Sequence, residues 1–200
     1  MTVGAATVAG VVAAGSWLSS PLAAPWRLVV VVAISVAGLG ACSGGGSSDS
    51  SGANRAWPLF ESGEGRFRVA LPEEPARHEQ DVDEEDLETK AVLFTSKFGD
   101  TATVNVSYAD YPEAITEIEP RVVLAGAVKG AVNRVSGTLA RQTPLTAEGS
   151  PAVDYVIEGD EGWLQARAIL VGNRLYLLQL AAPRPNAGAF ERLVTSFELL

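Results

Sequence analysis

Residues 152–158, 163–171 and 174–180 read AVDYVIE, WLQARAILV and RLYLLQL. Each run has the length of a strand and is rich in branched and aromatic side chains. Between them stand Gly159-Asp160-Glu161-Gly162 and Gly172-Asn173. These are turn residues, in connections far too short to hold a helix. Parallel strands need a crossover of roughly a dozen residues or more, so these three runs must pair antiparallel. In the middle run, Leu164, Ala166, Ala168 and Leu170 share one face, and Trp163, Gln165, Arg167, Ile169 and Val171 share the other. The second face mixes apolar and polar groups, and Tyr176 on the next run has similar neighbours. Trp163, Arg167 and Tyr176 are therefore the candidate binding surface, because Trp, Tyr and Arg commonly anchor interfaces. The competing expectation is that a helix covers this face.

Upstream, residues 66–72 alternate, with Phe67, Val69 and Leu71 on one side and Pro72 closing the run. Further strands are expected at 76–82, 87–98 and 101–110. In the second of these, Leu93 faces away from Val92, Phe94 and Phe98; in the third, Val104, Val106 and Tyr108 share a face. Tyr111-Pro112 ends the pairing, since Pro cannot donate to a ladder. The period then changes: Leu124, Val128, Ala131 and Val135 recur at helical spacing after Pro120, with Gly137 placed as a cap. Residues 138–145 are expected as a strand, followed by a turn at Gly149-Ser150-Pro151. A final helix carries Phe190, Leu193, Val194 and Phe197. The expected class is α+β, a largely antiparallel β-sheet with two main helices packed on it.

That order carries a resemblance. Gly65, Phe67, Val69 and Pro72 form a Gly-x-Phe-x-Val-x-x-Pro opening, and Phe190, Ser196 and Phe197 stand at the close. With a meander, one helix and three hairpin-linked strands between, residues 60–200 resemble the PsbP-like fold, and the bacterial LpqN-type lipoproteins within it. The resemblance implies a binding or scaffold module and no enzyme. It transfers no functional residue.

The charges divide the chain. Of 15 Lys/Arg and 24 Asp/Glu, the first 54 residues hold only Arg27 and Asp49. The remaining 146 residues carry 14 − 23 = −9, the whole net charge. An acidic domain of ordinary charge density is a poor partner for phosphate backbones, so nucleic acid is not expected. One cysteine excludes a disulfide framework.

That cysteine is informative for another reason. Residues 28–41 are uncharged and largely apolar, and follow Arg27. Fourteen residues are too few to span a bilayer as a helix and fit the hydrophobic region of an export signal. The run ends in Leu39-Gly40-Ala41-Cys42, which resembles the bacterial lipobox. In lipoproteins that Cys is lipidated on sulfur, the signal is cut before it, and the new N-terminus is open to acylation. Residues 43–54 then read SGGGSSDSSGAN, a flexible tether with a reach of roughly 20 Å. The expected organisation is a lipoprotein signal at 1–41, a Ser/Gly tether at 42–54, and one α+β domain at 55–200. Residues 1–26 lack the basic charge of a signal, so translation is expected to begin near Leu22. The expected location is the outer face of the cytoplasmic membrane, through a lipid on Cys42.

Chemistry is sparse. His78 is the only histidine, so any Ser-His-Asp or Cys-His device would have to use it, and it lies between Arg77 and Glu79. One His and one lipidated Cys cannot make a zinc site. The acidic run 73–88 lacks the spacing and the glycine of a calcium loop and reads as a solvated edge. Asp154 and Glu158 look solvent-facing, which argues against paired carboxylate catalysis. No metal and no cofactor are expected. The function expected is a membrane-anchored, non-catalytic binding or scaffold module for an envelope protein or small ligand. The alternatives are a carrier of an apolar ligand such as a lipid, and a hydrolase with carboxylate-based chemistry.

Overall fold

The computed structural model describes residues 56–84 and 87–200. The signal, the tether and Cys42 lie outside the described residues. In chain order the strands are β1 (Leu59–Ser62), β2 (Phe67–Ala70), β3 (Ala76–Glu84), β4 (Leu87–Phe98) and β5 (Ala102–Asp110). A 3-10 turn (Glu113–Glu117) leads into α1 (Pro120–Val135). There follow β6 (Thr138–Ala147), β7 (Ser150–Gly159), β8 (Gly162–Val171), β9 (Arg174–Ala182), α2 (Ala187–Thr195) and β10 (Glu198–Leu199).

Seven strands form one antiparallel sheet in the order β3-β4-β5-β9-β8-β7-β6. The hairpins read from 152–180 are its centre: Gly159 pairs with Gly162, and Val171 with Arg174, each across a two-residue turn. β5 then closes against β9, so the sheet joins two meanders with α1 between them in sequence.

Alternation gives the sheet two apolar faces. On one, Leu164, Ala166, Ala168 and Leu170 meet Val123, Leu124, Ala127, Val128 and Ala131 of α1. On the other, Val92, Phe94, Val104, Val106, Tyr108, Ile169, Tyr176, Leu178 and Leu180 form a cluster with α2 and Phe67, Val69 and Leu71. The last three side chains are wholly enclosed. Phe67 and Val69 belong to a second sheet, β1-β2-β10, and Leu71 follows directly after β2; residues from both ends of the domain flank β2. The architecture is α+β.

Several local readings shift. The left-handed residue that ends α1 is Ser136 (φ 48°), not Gly137. Gly137 is needed for space, because a Cβ there would lie 2.6 Å from the Glu158 carbonyl oxygen. The turn after β6 is Glu148-Gly149, both at positive φ, and Pro151 already belongs to β7. The final helix stops at Thr195, so Phe197 caps the core from the extended segment that becomes β10. β1 and β10, four and two residues long, have no periodicity long enough to read.

Candidate functional site

The three proposed surface residues separate. Arg167 and Asp154 face each other across β8 and β7. Arg167 Nε and Nη2 donate to Asp154 Oδ1 and Oδ2 at 2.7 and 2.9 Å. Both side chains are largely shielded, 16% and 28% exposed. Asp154 is thus held in a bidentate pair and is not solvent-facing as expected; shielding makes such a fork–fork contact stronger and more directional. Two residues away on the same face, Gln165 is buried, and its Oε1 accepts from the backbone N–H of Asn186 at 2.6 Å. The Asn186 side chain in turn accepts from the N–H of Ala189 and caps α2. Of the polar members of this face, Gln165 therefore seats the start of α2, while Arg167 is held by β7. Trp163 stays half-buried at the rim, opposite Glu158 and Ala182.

Tyr176 is not a surface residue. It is 2% exposed. Its ring lies edge-on to Phe67 and Phe197, centroids 6.1 and 5.6 Å away, and its hydroxyl donates to the Gly65 carbonyl at 2.8 Å. The face it occupies is covered by residues from both ends of the domain, which strand alternation around position 176 does not reveal.

A denser polar cluster surrounds it. Arg174 Nε and Nη2 donate to the two Asp110 oxygens at 2.5 and 2.6 Å. Its Nη1 donates to the carbonyls of Glu64 and Gly65, each at 3.1 Å. The guanidinium carbon sits 4.6 Å over the centre of the Tyr108 ring, a cation–π contact. Arg77 bridges Glu64 and Glu79 at 3.0 and 2.7 Å. The side-chain bond from Arg77 and the nearby Tyr108 phenol hold the Glu64 carboxyl below its ordinary pKa. Burial, with the Glu64 carboxylate beside it, pushes the Tyr108 phenol far above its own. The bond to Asp110 raises the Arg174 guanidinium further. Each of these charges has a partner inside the fold. The cluster clamps the β1–β2 turn onto β5 and β9. The sequence reading missed it because its members, at 64, 77, 108, 110 and 174, converge only when the β1–β2 turn folds against the large sheet.

His78 is exposed on the edge strand β3, opposite Leu93. Among the described residues, no three His, Cys, Asp or Glu side chains gather so as to hold a metal ion. Among them, too, no helix is long and apolar enough to cross a membrane.

No protein-family model matches the sequence, and no curated protein matches it. Among solved structures, the chain is similar to the solution structure of cyanobacterial PsbP (CyanoP) from Synechocystis sp. PCC 6803, at TM-score 0.53 and 14% identity. That match covers 81% of this chain and 99% of the other. A weaker match, TM-score 0.35 and 13% identity, is to a crystal structure from Bacteroides thetaiotaomicron VPI-5482; it covers 73% of this chain and spans about half, 49%, of the other. The fold is PsbP-like.

Proposed function

We propose that this protein is a lipid-anchored envelope lipoprotein of the LpqN type whose α+β domain serves as a non-catalytic binding or scaffold module. The observation that carries the reading is Leu39-Gly40-Ala41-Cys42 directly after an apolar run of signal length. Two acyl signals bind a membrane stably where one chain binds only marginally. The domain itself is acidic and is repelled by anionic headgroups, so the lipid supplies the attachment. Its partner is an envelope protein or a small ligand, not nucleic acid.

The charged side chains support a module without catalysis. Arg167 is held by Asp154, Arg174 by Asp110, and Glu64 by Arg77. A general acid or base needs a group poised near the working pH and open to substrate. These pairs have the opposite arrangement, and the one histidine stands apart from them on an edge strand.

Membrane fractionation of the Cys42→Ala variant tests the anchor. The expected result is loss of the protein from the membrane fraction, with globomycin blocking processing of the unaltered chain. A Cys42→Ala protein that stays membrane-bound in equal amount counts against the reading.

A further inference from the structure

The strands at the free edges of the two sheets, β1, β10, β6 and β3, are not alike. β1 and β10 are four and two residues long, too short to hold an added strand. β6 is longer, but a register shift between Leu139 and Arg141 breaks its line. Glu148-Gly149 close the β6–β7 hairpin as a two-residue turn, so Ala147 and Ser150 form a bonded pair and Pro144 turns its nitrogen outward. With a ring where an N–H would stand, that edge is closed to further pairing.

β3 has neither device. Its nine residues pair with β4 in unbroken register and include no proline. The same alternation, carried across the sheet, turns the N–H and C=O groups of Arg77, Glu79, Asp81 and Asp83 away from β4, where no described strand meets them. Residues 76–81 are exposed. This open edge is strongly acidic. Residues 76–90 carry Arg77 and Lys90 against seven Asp/Glu, 2 − 7 = −5 of the domain's −9, whereas β6 has Arg141 as its one charge. Arg77 is occupied by Glu64 and Glu79, at 3.0 and 2.7 Å.

These features select a partner. A second copy of β3 would set carboxylates against carboxylates, and a second copy's β6 is closed by Pro144, so the edge rejects this chain's own strands. A strand with Lys or Arg at alternate positions meets the opposite condition. Its backbone completes the ladder, and its cations stand across from Glu79 and Asp81. We propose that the β3 edge is a strand-addition site for an extended, Lys/Arg-rich segment of an envelope protein. Backbone bonds supply the affinity and the carboxylates the selection. The inference rests on reading the domain as a binding module and is independent of lipidation at Cys42.

The test is hydrogen exchange by NMR on the full chain in detergent micelles. The probe is a capped peptide of alternating Lys and Val, and a Glu/Val peptide is the control. The expected result is that the Lys peptide alone slows exchange several-fold at the Glu79 and Asp81 amides. Gln80, whose amide already bonds Ala91, changes little. Asp81→Asn and Asp81→Pro remove the same charge, but only the second removes the outward N–H, and both leave the bonds to β4 in place. Asp81→Asn is expected to weaken binding about threefold, and Asp81→Pro about tenfold further. A Lys peptide that binds without slowing exchange at Glu79 and Asp81 overturns strand addition while leaving a binding module standing, as does equal loss in the two variants. Equal binding of the Glu peptide, or no binding of either, also overturns the proposal. None of these outcomes touches the anchor, which the Cys42→Ala fractionation tests separately.

Discussion

Gly162 begins β8 at φ +137°, and a Cβ there would stand 2.6 Å from the Ala182 carbonyl oxygen. Gly162→Ala combines a backbone conformation open mainly to glycine with a collision against backbone that cannot swing aside. A loss of about 3 kcal/mol is expected, measured by urea denaturation. Tyr155 offers a second test at this scale. Its phenol ionises far above the ordinary value near 10 because burial favours the neutral form. Below about pH 10 that stabilisation is fully present. Above it the unfolded chain gives up a proton that the folded chain keeps, and stability falls. The urea midpoint should therefore drop between about pH 10 and pH 11.5, more steeply than in Tyr155→Phe. Single residues were also where sequence reading was weakest. Nothing around Tyr176 distinguishes a wet mixed face from one covered by Phe67 and Phe197, whose rings arrive from residues 109 before and 21 after it.

At the scale of elements, the long alternating runs were legible. β4 spans Leu87–Phe98 as its alternation implies, and α1 starts at Pro120. A strand of nine to twelve residues repeats its pattern enough to be recognised, and a helix start has its own chemistry. Short elements do not: β1 and β10 exist because β2 gives them a partner, through contacts distant in sequence. The end of α2 was obscured for a related reason. Phe197 keeps helical spacing with Phe190 and Leu193 yet leaves the helix, because its ring stacks on Phe67 with centroids 5.6 Å apart. The start of α2 makes a clean prediction. Asn186→Ala removes the side-chain acceptor for Ala189 N–H, and a loss of about 1 kcal/mol is expected, read from the thermal unfolding curve.

Over the whole molecule, the class and the order of the large sheet's meanders could be read because hairpin turns are local chemistry. How the two halves join could not. The β5–β9 pairing and the closing of β1-β2-β10 around Phe67 depend on residues scores of positions apart. The same holds for the Arg174 clamp, whose partners are Asp110 and the carbonyls of Glu64 and Gly65. The clamp holds the β1–β2 turn, and the Phe197 ring stacks on Phe67 of β2. Phe197→Ala removes an aromatic side chain that is 3% exposed, and about 4 kcal/mol is expected to be lost, on the order of 10 °C in Tm by calorimetry.

The pairing of β2 with β10 joins the first and last parts of the domain: Arg68 and Glu198, bonded side chain to side chain, stand 130 residues apart. A chain made from its N-terminus delivers Phe67 well before Phe197. Until Phe197 and β10 emerge, β2 lacks one flank and the Phe67 ring lacks its stacked neighbour. Closing so long a loop comes late and slowly, because its entropy must be spent before the contacts form. Folding of this domain is therefore completed only when β10 and the Phe197 ring close on β2, and every earlier stage leaves the Phe67 face open.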